Sequence, residues 1–104
     1  MLKLIISNKG RQYRFSIVKN EQLKVRHGVC FEDIIDAIDA GALLASVDHH
    51  NFKKYAHQQL YVVFFKEYVY LVPCLRESSD CVFLKTVIPS RKAKKTYLEK
   101  RKLS

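Results

Sequence analysis

The sequence is poor in the residues that interrupt or cross-link a fold. It has three glycines and two prolines among 104 residues, so no flexible linker or low-complexity stretch stands out. Its three cysteines, Cys30, Cys74 and Cys81, form no Cys-x-x-Cys pair, and their odd number argues against a disulfide framework. No hydrophobic run is long enough to span a bilayer. We therefore expect one domain with reduced core thiols, located in the cytoplasm and without a membrane partner.

Hydrophobic residues and positive charge are abundant. The hydrophobic share of 48%, with six Tyr and six Phe, argues against disorder. The net charge of +9 is unevenly spread: residues 1–28 hold seven Lys/Arg against one Glu, and residues 85–104 hold eight against one. Residues 29–84 reverse the balance, with four Lys/Arg against eight Asp/Glu. This pattern predicts a polyanion partner at the two ends of the chain and a separate acidic face between them.

The first half of the chain predicts two strands followed by two helices. Leu2–Ser7 and Arg11–Val18 have strand character, and Asn8-Lys9-Gly10 is typical of a tight turn. Asn20 is a good N-cap for a short helix that ends at His27, before Gly28. Phe31–Ala40 is the clearest helix, because its isoleucines recur on one face and its first turn is acidic.

The second half predicts an antiparallel meander that ends in a basic helix. Pro73 cannot donate a ladder hydrogen bond, so its strand is expected at an edge or a bulge. Ser90 is a good N-cap for a last helix, Arg91–Leu103. The expected strands are Ala42–Asp48, Gln59–Phe65, Tyr68–Leu75 and Cys81–Ile88.

Few catalytic motifs are compatible with this sequence. The four histidines match no standard zinc spacing, so we expect no metal and no cofactor. No nucleophile elbow, Gly-rich phosphate loop or HExxH motif is present. RNA cleavage needs less, because RNA carries its own nucleophile and a cationic site can stabilise the extra phosphorane charge. His49 is the candidate for proton transfer, while tyrosines such as Tyr61 and Tyr97 are candidates for stacking on bases.

Two segments resemble a known family. RHGVCFEDIIDAI (Arg26–Ile38) is similar to the KHGVSFEEA-type segment of BrnT-like toxins, and VFLKTVIPSRKAKKTYLEK (Val82–Lys100) is similar to their closing strand and S/A-R-K-A helix start. The resemblance covers about residues 12–100, so residues 1–11 are expected to form an N-terminal extension or an extra strand. Cys30 departs from the family's usual Ser, which removes an N-cap oxygen at a cost of about 1 kcal/mol.

The resemblance implies a compact α+β fold of the RelE-like type. That fold has a twisted antiparallel sheet with helices on one side, two of them consecutive near the N-terminus, and a basic C-terminal helix. It also implies a metal-independent endoribonuclease toxin of a bacterial toxin–antitoxin module, neutralised by an antitoxin that is often of the ribbon-helix-helix type. The positions carried over by motif are Gly28, Phe31, Glu32, Arg91, Lys92 and Ala93.

The candidate site residues follow from the basic clusters together with this resemblance. For catalysis we select Arg91, His49, Lys85 and Tyr97. For holding RNA phosphates we select Lys92, Lys94, Lys95, Lys53 and Lys54. For contact with the antitoxin we select Glu32, Asp36 and Asp39, on the acidic face of the second helix.

Two other functions compete with the ribonuclease. A non-catalytic RNA- or DNA-binding module would carry the same basic surface, and a structural subunit could use its basic ends to bind an acidic protein. Solvated surface charge is the ordinary alternative for each charged cluster, and core packing is the ordinary alternative for the tyrosines.

Overall fold

The computed structural model of the chain describes residues 1–48 and 58–99. It is an α+β fold, as expected, with two consecutive helices near the N-terminus and a helix after the last strand. The elements in chain order are β1 Leu2–Ile6, β2 Gln12–Ser16, α1 Ile17–His27, α2 Phe31–Asp39, β3 Leu43–Asp48, β4 Gln58–Phe65, β5 Tyr68–Arg76, β6 Cys81–Leu84, β7 Ile88–Pro89, α3 Arg91–Lys94 and a π-helical turn, Lys95–Glu99.

The strands form one mixed sheet in the order β1-β2-β6-β5-β4-β3, with β7 also paired to β5. The expectation of a wholly antiparallel sheet is wrong, because β2 and β6 pair in parallel. Strands β3 to β6 alternate in direction along the chain, and β6, the last of the four, runs in the same direction as the neighbouring β2. The expected last strand, Cys81–Ile88, is also divided, since residues 85–87 separate β6 from β7.

Helices α1 and α2 cover one side of the sheet, which we call the first face. Alternate residues of each strand point to this face, including Tyr13 and Phe15 of β2 and Val72 of β5. The Phe15 ring packs on Phe31 of α2 with centroids 4.8 Å apart. Leu23, Ile34 and Leu84 are buried in the same cluster. The main core therefore lies between the helices and the first face.

The C-terminal helix packs on the other side of the sheet, which we call the second face. Val62 and Val69 point to this face, because their neighbours along β4 and β5 point to the first. Ala93, Tyr97 and Leu98 pack against them. The implied placement of all helices on one side is therefore wrong, and α3 with its cations lies on the face opposite α1 and α2.

The first helix begins earlier than the sequence indicated. It starts at Ile17, and the N-cap is Ser16, whose Oγ accepts a hydrogen bond from the Lys19 backbone N–H at 3.2 Å. Asn20 is therefore inside the helix and is buried, so the N-cap predicted there is wrong. The end of the helix is as expected, since Gly28 has φ of 66° in the left-handed region.

Buried Asn20 joins the two helices instead. Its Oδ1 accepts the Phe31 backbone N–H at 2.7 Å, and its Nδ2 donates to Glu32 Oε1 at 2.7 Å. The N-cap of α2, Cys30, makes no side-chain capping bond. A side chain from the preceding helix thus replaces the cap oxygen that Cys30 lacks.

Two turn and strand features depart from the usual residue preferences. Lys66 and Glu67, between β4 and β5, both have positive φ, as a tight primed turn requires, although neither is Gly or Asn. Pro73 lies in an interior strand and not at an edge, but the pairing opposite it shifts by one residue between Cys74–Leu84 and Leu71–Ile88, so the expected bulge is present. Its carbonyl accepts the Lys85 N–H at 2.9 Å, so its missing donor faces the interruption between β6 and β7, where the ladder is already broken.

None of the helices in residues 1–48 and 58–99 is long and apolar enough to cross a membrane.

Candidate functional site

The cations between Arg91 and Lys95 are held on a helix with an N-cap at Ser90, as the sequence predicted. The α-helix ends at Lys94 and continues as the π-helical turn Lys95–Glu99, and the rest of the expected helix, residues 100–103, lies outside the described residues. Ser90 is the N-cap, and its Oγ accepts the Ala93 backbone N–H at 3.0 Å. The Ser90 N–H donates to Val69 O at 3.0 Å, which fixes the start of α3 to β5. Ala93 is buried, whereas Arg91, Lys92 and Lys95 are exposed. Three of the selected cations therefore project into solvent.

Two other selected residues of this segment contact the protein itself. The Lys94 ammonium lies 5.1 Å from the centroid of the Tyr68 ring, in a cation–π contact. Tyr97 is half-buried and packs against the second-face cluster. Its ring thus has a packing role, which was the ordinary alternative to base stacking.

Lys85 is not adjacent to the start of α3. Its N–H bonds to the carbonyl of Pro73, whereas the N–H of Ser90 bonds to that of Val69. Four residues along a strand span about 13 Å, so the backbones of Lys85 and α3 are separated by about that distance. Lys85 is exposed, and the cluster selected around Arg91 is spread along β5 rather than gathered at one point.

The remaining selections have mixed outcomes. His49, Lys53 and Lys54 lie outside the described residues. Glu32 is occupied within the fold, since it accepts from Asn20 and from Lys3 Nζ at 3.4 Å. Burial alone would raise the pKa of Glu32, but hydrogen bonds from Asn20, the backbone and Lys3 outweigh it and lower that pKa. Asp36 is exposed and Asp39 half-buried, so the acidic face keeps two accessible carboxylates.

A concave cationic site lies on the first face, at the end of the sheet, among residues that the sequence did not single out together. It is a cleft of about 330 Å³, at the small end of the usual range for ligand sites. Arg11 and Arg76 both line it, and Tyr61 and Gln59 of β4 also face it. The remaining lining residues are Leu43, Ser46, Ser79 and Val82.

Arg11 is held in place by the turn between β1 and β2. Its backbone N–H lies 3.3 Å from Ser7 Oγ, and its carbonyl accepts the Ser7 N–H at 2.8 Å. The next residue, Gln12, donates its N–H to Asp80 O at 2.7 Å, across to the turn before β6. The N-terminal strand and its turn therefore fix the backbone from which Arg11 projects.

The two guanidinium groups of the cleft have no carboxylate partner within the described ranges. The three ion pairs found there are Lys3–Glu32, Arg14–Glu77 and Lys24–Glu21. One carboxylate reaches the rim indirectly, since Gln59 Nε2 donates to Asp48 Oδ1 at 3.4 Å. An unpaired pair of guanidinium groups in a cleft is an arrangement that binds phosphate or carboxylate ligands well.

Buried titratable groups lie beside the two arginines. Burial raises the pKa of Tyr61, and the nearby charges of Arg11 and Arg76 offset this only in part. Burial also raises the pKa of Tyr13, whose hydroxyl has no partner of good geometry within the described residues, although Arg11 approaches it. Burial raises the pKa of Cys74 to about 12. At neutral pH these groups are proton donors and not bases or nucleophiles.

The cleft can therefore bind an anion and donate protons to it. Two guanidinium groups can hold a phosphate and stabilise added negative charge, and the neutral Tyr61 hydroxyl can donate a hydrogen bond. Within residues 1–48 and 58–99, no three His, Cys, Asp or Glu side chains gather in a way that could hold a metal ion.

No family model, no curated protein and no solved structure matches the chain. The function of the chain must therefore be inferred from its geometry and its charge, together with the two motif segments.

Proposed function

We propose that the chain is a metal-independent endoribonuclease toxin of a bacterial toxin–antitoxin module, and that the Arg11–Arg76 cleft binds the RNA phosphate. The observation that carries this proposal is a concave site in which Arg11 and Arg76 lie beside Tyr61 with no carboxylate partner among the described residues, in a chain with net charge +9. The resemblance of two segments to BrnT-like toxins is consistent with it. RNA is favoured over a small anion because the second face adds further exposed cations.

The chemistry uses the substrate's own nucleophile. The 2′-hydroxyl loses its proton to a base, its oxygen attacks the adjacent phosphorus, and the bond to the 5′-oxygen breaks. The leaving 5′-oxygen takes up a proton from Tyr61 or from solvent, so the products are a 2′,3′-cyclic phosphate and a free 5′-hydroxyl. Arg11 and Arg76 would stabilise the negative charge of the phosphorane, and Tyr61 would donate a hydrogen bond to the leaving oxygen or a phosphate oxygen. His49 remains our candidate for removing the 2′ proton.

The C-terminal cations would attract RNA and hold its flanking phosphates. Arg91, Lys92 and Lys95 are exposed to solvent, where a solvated charge supplies long-range attraction more than tight binding. Arg91 is also the candidate for stabilising the transition state, and that role competes with the one we give to the cleft. The two assignments place the reacting phosphate on opposite faces of the sheet, so mutation can separate them.

The proposed antitoxin would be a protein, of the ribbon-helix-helix type if the resemblance extends to the partner. Asp36 and Asp39 of α2 would form part of its contact surface. Glu32 would contribute less, because its carboxylate already bonds Asn20 and Lys3.

The experiment is RNA cleavage in EDTA with an analysis of product ends. We expect 2′,3′-cyclic phosphate ends, loss of at least about 100-fold in rate for Arg76→Ala, and a smaller loss for Arg91→Ala. Lys66→Ala removes one exposed charge at the β4–β5 turn and serves as the control, with a change of less than about threefold. If Arg91→Ala abolishes cleavage while Arg76→Ala does not, the assignment to the cleft is wrong.

A second function is supported by one observation, the lack of a general base among the described residues of the cleft. Tyr61, Tyr13 and Cys74 all have raised pKa values, so none removes a proton readily at neutral pH. A non-catalytic RNA-binding module would show a loss of affinity in Arg76→Ala without any cleavage by the wild type. Intact RNA after prolonged incubation with folded wild-type protein would favour this function.

A further inference from the structure

The exposed apolar side chains are concentrated at the N-terminus. Seven of the nine large apolar side chains exposed in the described residues lie between Met1 and Val25. Leu2, Leu4 and Ile6 are 50%, 53% and 65% exposed, although they belong to a strand. The other four are Met1, Ile17, Val18 and Val25.

Strand β1 is an edge strand whose outward backbone groups can be identified. Among residues 1–48 and 58–99, its only partner strand is β2. The hydrogen bonds from Ser7 N–H to Arg11 O and from Ile17 N–H to Met1 O show that odd-numbered residues of β1 direct their backbone groups to β2. The N–H and C=O groups of the even-numbered residues therefore face outward, and these residues are Leu2, Leu4 and Ile6.

The usual protections of an edge are missing from β1 but present at the opposite edge. Strand β3 has a register shift between Leu43 and Ala45 and ends on Asp48, and bulges and charges both hinder pairing. Strand β1 pairs with β2 without a shift. Its single charged residue, Lys3, lies on the first face and pairs with Glu32 at 3.4 Å. The β1 side chains on the second face, Leu2, Leu4 and Ile6, are all apolar.

We infer that β1 pairs with β1 of a second copy of this chain, antiparallel, with Leu4 of the two copies opposite each other on a two-fold axis. In that register Leu2 faces the partner's Ile6, so each apolar side chain on the second face meets another. The outward N–H and C=O groups of the three even-numbered residues all find partners, which gives about six hydrogen bonds for the pair. The two sheets become one continuous sheet.

Charge is compatible with this pairing, and the apolar side chains of Leu2, Leu4 and Ile6 form a pattern that is complementary to itself about Leu4. Lys3 would face the partner's Ile5, so like charges are not directly opposite. The charge of each copy still repels the other at long range, and salt screens that repulsion with a Debye length of about 8 Å at physiological ionic strength. Dimerisation should therefore strengthen with salt, whereas RNA binding should weaken.

The size of the surface sets the expected strength. A stable interface uses about 800 Å² and about 20–30 residues on each partner. Strand β1 supplies five residues, far fewer than that. Ile17 and Val18 do not add to it, because the hydrogen bond from Ile17 N–H to Met1 O places them on the β2 side of β1, away from the free edge. We therefore expect a weak, reversible dimer with Kd on the order of 100 μM.

The first test reads the register by cross-linking. In a background of Cys30→Ser and Cys81→Ser, Leu4→Cys should form a covalent dimer on mild oxidation, because the two positions are about 5.5 Å apart across the axis. Leu2→Cys should not, since its copies are separated by about four residues along the strands, or about 13 Å. Equal cross-linking of both variants, or none by Leu4→Cys, would overturn the proposed pairing.

The second test measures mass by sedimentation equilibrium at micromolar to millimolar concentrations, in low and in about 0.5 M salt. We expect a wild-type dimer that strengthens with salt, and a dimer weakened by about tenfold or more in Leu4→Lys. Val47→Lys adds the same charge to the exposed side of β3 and should leave the dimer unchanged. Circular dichroism should show Leu4→Lys folded, as Leu4 is half exposed. The inference would be refuted by a wild type that stays monomeric, even if it binds a different protein at β1. A dimer that is insensitive to Leu4→Lys would refute it as well.

Discussion

Asn20 offers the sharpest test of how the two N-terminal helices are joined. Its side chain accepts from the Phe31 backbone N–H and donates to the Glu32 carboxylate, each at 2.7 Å. Replacing Asn20 with Ala leaves the Phe31 N–H unpaired next to a fully buried side chain, which costs about 1–3 kcal/mol. It also removes the hydrogen bond to the charged Glu32 carboxylate, which is worth about 1.5–3 kcal/mol. Water can replace part of that bond, because the carboxylate is half exposed.

We expect Asn20→Ala to lower the free energy of unfolding by about 3 kcal/mol. For a domain of this size that corresponds to a fall in Tm of about 12–20 °C. Urea unfolding followed by circular dichroism measures the free energy directly. Gln22→Ala is the matched control, because Gln22 is an exposed amide on the same helix, and it should cost less than about 0.5 kcal/mol.

A second pair of variants tests the donor and acceptor directions. Asn20→Asp keeps the acceptor for Phe31 but places a carboxylate against Glu32, so it should destabilise at neutral pH and recover as the pH falls and one carboxyl is protonated. Adding Glu32→Gln restores a donor facing the new carboxylate and should recover much of the lost stability. An Asn20→Ala variant as stable as Gln22→Ala, or no recovery in the double variant, would contradict the role given to Asn20 at the helix junction.

Two further predictions concern pH and the C-terminal cap. Burial raises the pKa of Cys74 from 9.0 to about 12, so the stability that comes from keeping this thiol neutral should be complete below pH 9 and lost between pH 9 and pH 12, by at most about 4 kcal/mol. Cys74→Ala should flatten the dependence of urea midpoints on pH in that window. An unchanged slope would show that the thiol is not responsible. Ser90→Ala should lower the free energy of unfolding by about 1 kcal/mol, because Ser90 Oγ caps α3, whereas Ser90→Asp should keep most of that stability. Equal unfolding midpoints for Ser90→Ala and wild type would rule out the contribution of the cap.

Local patterns predicted most of the elements, because each is encoded in neighbouring residues. The alternation of Tyr13 and Phe15 with polar residues indicated β2, and the apolar face of Phe31–Ala40 indicated α2 within one residue of its end. Ser90 followed by a basic segment indicated the start of α3. These features depend on periodicity and capping, which do not require knowledge of the rest of the fold.

The errors arose where distant parts of the chain decide the outcome. Asn20 has a high preference for N-caps, but tertiary burial places it inside α1 and Ser16 takes the cap. The edge position considered for Pro73 is excluded because β5 has neighbours on both sides, although the register shift opposite Pro73 confirms the bulge that was its alternative. The parallel pairing of β2 and β6 depends on the path of the whole chain, which local propensity does not encode.

The same reason explains why the sequence indicated the basic helix and not the cleft. The C-terminal cations are contiguous, so they stand out in the sequence, whereas Arg11 and Arg76 are far apart along the chain. Each of the two precedes or ends a strand without any local motif. Only the pairing of β2 with β6, and of β6 with β5, brings their side chains to one cleft.

The N-terminal strand connects the two surfaces for which we propose functions. It lies outside the segments that resemble BrnT-like toxins, yet Ser7, just after its end, fixes the backbone of Arg11 through two hydrogen bonds. Its other side is the free edge, where Leu4 would meet its copy. Pairing of two β1 strands would restrain the turn that carries Arg11, because the turn is continuous with the paired strand. The N-terminal extension would thus supply both the edge for association and the support for one of the two arginines in the cleft.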